Sequence, residues 1–498
     1  MPARTLIVWG CSSGAGKSLL ATALCRWAAN AGYEVAPYKA QNMSNNARVV
    51  PLPNDGSDGG EGFGEIGSAQ YFQALAARVR PTVDMNPVLL KPEADTRSQV
   101  VLNGRVAREL AEVPWRERSH HLAQAARAGF ERLHAAHELL IVEGAGSPAE
   151  INLADHDFVN LGVARWAQAC GPTQALLVSD IDRGGAFAHL HGTWALMPDD
   201  LRPLLSGWVL NKFRGDATLL APGPALLQAR TGVPLLGVLP LLRHHGLPEE
   251  DGLYGVEPAR GGASDALRIA ILAGPHISNL DEFLPLSQLP GVRLVWARER
   301  AHAEDADWLI LPGSKQASGD GAWLRAQGLD TLVQAHAAAG KPVLGICGGL
   351  QLLGQTLADP EGLDGVPHAG QAGLGLLPLH THYQAPKRLR TGRLTLAGLH
   401  GPWAGLNGVA TEGYEIRCGR TEGLPQATPV AWADDGHPIG WQQGSALGLY
   451  AHGLLEQPAF LRALFGAQVP LLDTALDRLA DALEAAVGRP GLIRLMGC

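Results

Sequence analysis

Short apolar runs alternate with stretches of helical periodicity along the first half of this chain. "TLIVWG" (Thr5–Gly10) precedes a helical pattern from about Lys17 to Asn30, and "YEVAPYK", "ELLIVEG", "QALLVSD", "SGWVLNK" and "VPLLGVLP" come in turn. A strand covered on both faces reads as a continuous apolar run, so this alternation predicts a parallel sheet with helices on both sides. From Gly246 to Asp265 the pattern breaks into "GLPEEDGLYGVEPARGGASD", rich in Gly, Pro and acid, before a new strand "LRIAIL" begins. A domain boundary is expected there. The second half repeats the alternation with "VRLVWA", "DWLILPG" and "KPVLGIC", becomes more β-rich from Leu374 to Tyr450, and closes with a helical pattern after Pro458. The expected organisation is an α/β domain over 1–250, a second α/β domain over 266–460, and a helical tail over 461–498. No internal repeat or low-complexity tract interrupts it, and "VVPLPNDGSDGGEGFGE" reads as a surface loop.

Length and composition sharpen this picture. At 498 residues the chain exceeds the size at which one core keeps growing, which favours two domains. An apolar fraction of 46% with 18% charged residues is that of a globular chain with a full core. The net charge of −8 offers no global attraction to a polyphosphate backbone, so nucleic acid is not an expected partner. No apolar run reaches the length of a membrane span, and the N-terminal run is too short for a signal peptide, so a cytoplasmic enzyme is expected. The six cysteines are scattered with no C-x-x-C pair, which argues for reduced thiols rather than a zinc site or disulfide framework. Any cysteine with a chemical role must act individually.

The first candidate chemistry lies in "GCSSGAGKS", Gly10 to Ser18, which comes after a strand and opens a helix. That is the setting of a phosphate-binding loop, where exposed backbone N–H groups and the helix start surround phosphate oxygens. Gly14 and Gly16 allow the close turn, Lys17 is expected on the β- and γ-phosphates of ATP, and Ser18 on Mg²⁺. Five residues separate Gly10 from Gly16, where the standard form has four, and this variant resembles the dethiobiotin-synthetase-like ATPases. Glu143 ends the apolar run of "LLIVEGAGS" and is the candidate second metal ligand. Asp180 and Asp182 in "LLVSDIDRGG" end a similar run, where a carboxylate either serves the metal or caps the next helix. Asn211 in "VLNKFRGD" has the donor and acceptor to read an adenine edge, or is a turn asparagine.

The second candidate is Cys347 in "KPVLGICGGLQLLGQ". A nucleophilic cysteine needs an exposed turn, donors for an oxyanion and a base within reach. A strand runs into Cys347, and Gly348 and Gly349 allow a strained turn, with the Gly348 N–H as one oxyanion donor. Gly313 in "LILPGSK" offers a second. His452 in "LGLYAHGLLE" is the candidate base; taken alone it reads as an ordinary partly buried histidine.

Together, "GICGGLQLLG", "LPGSK" and "LYAHG" resemble the class I glutamine amidotransferase domain in its cobyrinate-type branch. The resemblance implies that Cys347 attacks glutamine through a thioester and releases ammonia, and that Gln351 lies near the substrate amide. Most class I amidotransferases follow the histidine with Pro-Glu, and Gly453 and Leu454 stand here instead. The group that orients His452 is therefore unassigned, and Glu456 reads as a surface residue. In the first half, "KAQNMSNNA" (Lys39–Ala47), "DMNPVLLKP", "SQVVLNG", "EGAGSPAEINL", "SDIDRGG" and "NKFRGD" are similar to the cobyric acid synthase family. That family implies ATP- and glutamine-dependent amidation of the b, d, e and g carboxylates of adenosylcobyrinic acid a,c-diamide, with small-molecule substrates and neither nucleic acid nor membrane as partner. The acidic insertion around Pro51 to Gly64 departs from the family pattern. Two other readings stay open: the sister enzyme that amidates the a and c carboxylates, disfavoured by "KAQNMSNNA", and a nucleotide-switched binding protein, which leaves Cys347 without a role. Oligomeric state is not expressed in the sequence.

Overall fold

The computed structural model describes residues 3–497 apart from 54–61, 95–96, 112, 244, 248–265 and 467–470. Most of the expected boundary stretch and the centre of the acidic insertion lie outside the described residues. The chain divides into two compact units. The first comprises Met1–Ser44, Val50–Asp251 and Leu471–Cys498; the second comprises Asn45–Val49 and Gly252–Pro470.

The first unit is built on a six-stranded sheet in the spatial order Leu235–Pro240, Leu205–Phe213, Thr173–Asp180, Arg4–Gly10, Leu139–Glu143, Val35–Tyr38. Every pairing is parallel. Leu6, Ile7, Val8 and Trp9 are all buried, so both faces of the central strand meet protein, which accounts for the unbroken apolar run. The strand after the first lies at one edge and the chain then returns to the centre, placing a crevice at the carboxyl ends of the central strands. The loop Gly10–Ser18 sits at that end.

The expected tail is divided between the units: Pro458–Phe465 belongs to the second and the helices Leu472–Val487 and Arg489–Met496 to the first. Leu472–Val487 packs on the helix Lys17–Asn30. Its Leu476, Leu479, Ala480 and Leu483 recur at helical spacing and are buried, each leucine stabilising the packing by roughly 1.5–3 kcal/mol. Arg26 meets Asp473 and Asp477 at 2.9 and 2.7 Å, and Trp27 Nε1 donates to Glu484 Oε2 at 2.6 Å. These polar contacts fix how the two helices meet.

In the second unit, parallel strands Val292–Ala297, Leu267–Leu272, Trp308–Leu311, Val343–Ile346 and Ala446–Leu449 lie side by side. The same sheet continues antiparallel through Pro438–Gln443, Thr428–Ala433 and the long Leu379–Leu396, which pairs with Ala410–Gly423. This is the β-rich region expected from Leu374 to Tyr450. The parallel strands carry the cysteine turn and the antiparallel strands wall its side. No helix among the described residues is long and apolar enough to cross a membrane.

Candidate active sites

In the phosphate loop, Gly14 and Gly16 have φ of 71° and 100°, conformations that side-chain-bearing residues rarely adopt. A Cβ on Gly16 would also lie 1.8 Å from Asn211 Nδ2. That amide donates to the Ala15 carbonyl at 3.1 Å, so Asn211 sits against the loop. Lys17 folds back over Gly10 and donates to the carbonyls of Ser12 and Gly146 at 2.9 and 3.0 Å. Its ammonium is held beside the loop by carbonyl oxygens, which a phosphate can replace.

Ser18 Oγ donates to Glu143 Oε1 at 2.8 Å, which brings together the two residues expected to serve a metal. Both are oxygen donors of the hard kind that Mg²⁺ takes, so the residues fit the ion. The same carboxylate receives Lys39 Nζ at 2.9 Å and Gln73 Nε2 at 2.5 Å. Burial alone would raise the Glu143 carboxyl; Lys39, Gln73 and Ser18 outweigh it and hold the group below the ordinary carboxylate range. In the sequence Lys39 stood out only as the start of "KAQNMSNNA", with no metal-site role, and Gln73 not at all, because a lysine after a strand and a glutamine in a helix carry no spacing signal. Asp180 accepts from the Asp182 N–H at 2.9 Å and meets Lys212 at 3.1 Å, while Asp182 pairs with Arg214. Asp180 thus caps its own turn.

In the second unit Cys347 stands between the strand Val343–Ile346 and the helix Gly348–Leu353, with φ 50° and ψ −102°. A non-glycine residue at positive φ stores strain, and strain of this kind clusters at functional sites. The turn is held because Cys347 N–H donates to the Leu449 carbonyl at 2.8 Å and its carbonyl accepts from Gln351 N–H at 3.1 Å. Gly349 is obligatory here: a Cβ would lie 1.9 Å from the Leu311 carbonyl oxygen. The N–H groups of Gly348 and Gly313 find no acceptor among the described residues, so two donors remain for an oxyanion. A Cβ on Gly313 would meet the His452 ring at 2.7 Å, so glycine there lets the imidazole reach the turn.

His452 is 2% exposed and sits beside Cys347, near enough for the sulfur to act on its ring, while the Cys347 thiol donates to the Ile416 carbonyl at 3.7 Å. Its Nδ1 lies 2.9 Å from Glu282 Oε1, and Glu282 Oε2 accepts from Gly453 N–H at 3.0 Å. Glu282 is completely buried. Burial pushes the imidazolium down, but the Glu282 carboxylate and the Cys347 sulfur push it up, and the result is about 10. A cysteine, a histidine and a carboxylate thus form one chain of contacts, with Glu282 supplying the orienting group left unassigned by the sequence. Glu282 comes from "SNLDEF", far upstream, and no local spacing links it to His452. Glu456 is not a simple surface residue: its carboxylate takes two bonds from Arg48, at 2.6 and 2.9 Å. Gln351 is buried beside the cysteine and its Oε1 accepts from Tyr383 OH at 2.7 Å.

Both halves of the chain match known families. Residues 6–250 match the CobQ/CobB/MinD/ParA nucleotide binding domain, and residues 268–460 match the CobB/CobQ-like glutamine amidotransferase domain. The chain is 60% identical to a cobyric acid synthase of Leptothrix cholodnii, covering 97% of this chain and 95% of that one. It is 57% identical to cobyric acid synthases of Paracidovorax citrulli, over 97% of each chain, and of Methylibium petroleiphilum, over 99% of this chain and 97% of that one. With two domain matches and near full-length similarity at this level, the chain belongs to the cobyric acid synthase family.

Proposed function

We propose that this chain converts adenosylcobyrinic acid a,c-diamide to adenosylcobyric acid by amidating the b, d, e and g carboxylates, using glutamine as nitrogen source and ATP as activator. The reading accords with its family. The observation that carries it is the strained cysteine turn at Cys347, with His452 beside it and the Gly348 and Gly313 N–H donors alongside. A carboxylate does not condense with ammonia in water because its oxygen is a poor leaving group, so phosphorylation to an acyl phosphate must come first. That requirement explains a phosphate loop and a glutaminase turn in one chain.

In the glutaminase half, assigned to 266–460, Cys347 Sγ attacks the glutamine amide while the Gly348 and Gly313 N–H groups receive the developing oxyanion. His452, held by Glu282, carries the proton given up by the Cys347 thiol and passes it to the nitrogen that leaves as ammonia. Water then hydrolyses the thioester by the reverse use of the same groups. Gln351 lines the glutamine side of the turn. In the synthetase half, assigned to 1–250, Lys17 and the N–H groups about Gly14 and Gly16 hold the phosphates, and Asn211 borders the nucleotide. Ser18 and Glu143 hold Mg²⁺, which neutralises phosphate charge when bound. Lys39, paired with Glu143, adds a positive charge to the same place. The small-molecule substrates and cytoplasmic setting belong to this reading.

Purified protein given the corrinoid, MgATP and glutamine should form one glutamate and one phosphate per amide, with mass spectrometry tracking the conversion. Conversion of the a,c-diamide to a product carrying four further amides supports the reading. No corrinoid-dependent release of glutamate and phosphate would refute it.

A further inference from the structure

Behind the catalytic histidine lies a buried charged cluster that the reaction scheme does not use. The Arg48 guanidinium, 2% exposed, bonds Asp281 and both carboxylate oxygens of Glu456. It also lies over the Tyr414 ring, 5.1 Å from its centroid, and that ring stacks on His452 at 5.4 Å and 23°. Asp281 directly precedes Glu282. The His452 imidazole is therefore gripped twice, at Nδ1 by Glu282 and across its face by Tyr414, and Arg48 touches the supports of both grips.

The surrounding contacts make this a built arrangement. Asn279, with φ 54°, accepts from the Ala47 N–H at 3.2 Å and donates to Tyr414 OH at 3.2 Å. Asn46 accepts from the Leu280 N–H at 2.9 Å. The short segment Asn45–Val49 is thereby fixed to the loop that presents Asp281 and Glu282. It belongs to the same compact unit as Gly252–Pro470, although in sequence it lies far outside 268–460. A buried carboxylate stripped of its cation is strongly unfavourable, so without Arg48 the Asp281 and Glu456 side chains must reorganise, and Tyr414 and Glu282 move with them.

We propose that Arg48 is a positioning residue of the glutaminase site, so that residues 45–49 complete a catalytic centre whose reacting groups all lie downstream of residue 266. Arg48 acts through Tyr414 and the Asp281–Glu282 loop, and touches neither glutamine nor ammonia. The inference rests on the glutaminase reading of Cys347 and His452, and its test separates the two.

The test uses the full chain with the corrinoid and MgATP, comparing the parent with Arg48→Ala and Arg48→Lys. Glutamate release and amidation driven by ammonium salt are measured separately. Arg48→Ala should lower kcat for glutamine hydrolysis 10- to 100-fold with little change in KM for glutamine, and ammonium-driven amidation should stay within about twofold of the parent. Added guanidinium ion should restore part of the lost kcat, and Arg48→Lys should fall between. Parent-like hydrolysis by Arg48→Ala, or equal loss of both activities without rescue, would overturn the inference. If the parent itself releases no glutamate, the underlying glutaminase reading fails first. Should Arg48→Ala not fold, Arg48→Met with Asp281→Asn and Glu456→Gln leaves no unpaired charge in the cluster. A lowered kcat there supports the positioning role, and a parental kcat refutes it.

Discussion

His452 Nδ1 lies 2.9 Å from Glu282 Oε1, although 170 positions separate the two residues in sequence. Gly453 and Leu454 follow His452, and the carboxylate beside its ring comes from a different loop. Its second oxygen binds the Gly453 N–H, so the carboxylate cannot swing without also losing a backbone bond.

Replacing Glu282 by Gln should therefore lower glutamine hydrolysis by on the order of 10²–10⁴ in kcat, because the imidazole loses the partner that fixes its tautomer and plane. Ammonium-driven amidation should persist in the same variant. Steady-state assays with each nitrogen source check this, and a parental rate with glutamine would show that Glu282 only fills space.

The pH profile provides a second prediction. The carboxylate raises the imidazolium to about 10 and burial opposes it, so the parent should keep its proton donor through neutral pH and lose glutaminase activity only in alkaline solution. With Glu282→Gln the raising charge is gone and burial remains, so the alkaline limb should move to lower pH. A limb unchanged by the substitution would contradict the assignment.

Lys17→Ala should abolish amidation with either nitrogen source, since phosphate activation precedes both. Glu143→Gln should retain nucleotide binding but require more Mg²⁺ for half-maximal ammonium-driven amidation, because a neutral amide is a weaker ligand for a hard cation. Titrating Mg²⁺ at fixed ATP measures it. An identical Mg²⁺ requirement would leave Glu143 only as the hydrogen-bond partner of Lys39, Gln73 and Ser18.

Leu483→Ala should destabilise the first unit by about 2–5 kcal/mol, because the side chain is buried between the C-terminal helix and the core. Urea unfolding monitored by loss of ammonium-driven activity provides the measurement. A midpoint unchanged from the parent would mean that the helix Leu472–Val487 does not contribute to that core.

Much of this was legible in the sequence because the signals are local. An unbroken apolar run such as "TLIVWG" announces a strand covered on both faces, and a strand–glycine–lysine–serine order announces its loop. The strained turn at Cys347, with Gly348 and Gly313 beside it, was legible for the same reason: a strand-to-helix turn is made by short local motifs. What escaped depends on contacts between distant segments. Glu282, Lys39 and Arg48 have no periodicity or spacing that ties them to His452 or Glu143, and only the fold brings them there. The destination of Leu472–Val487 was equally hidden, since an amphipathic helix states that it has a partner without stating which one. Glu456 looked exposed because its partner, Arg48, lies 408 positions earlier.

The central claim is that two separable half-reactions share this chain, with Cys347 belonging to one of them. Its most direct test is the activity of Cys347→Ala with each nitrogen source, on protein shown to be folded. Glutamine-driven amidation should fall by several powers of ten, since the substitution removes the covalent route, while amidation with ammonium salt and MgATP should continue near the parental rate. Retained glutamine-driven activity, or loss of ammonium-driven activity in the folded variant, would contradict it.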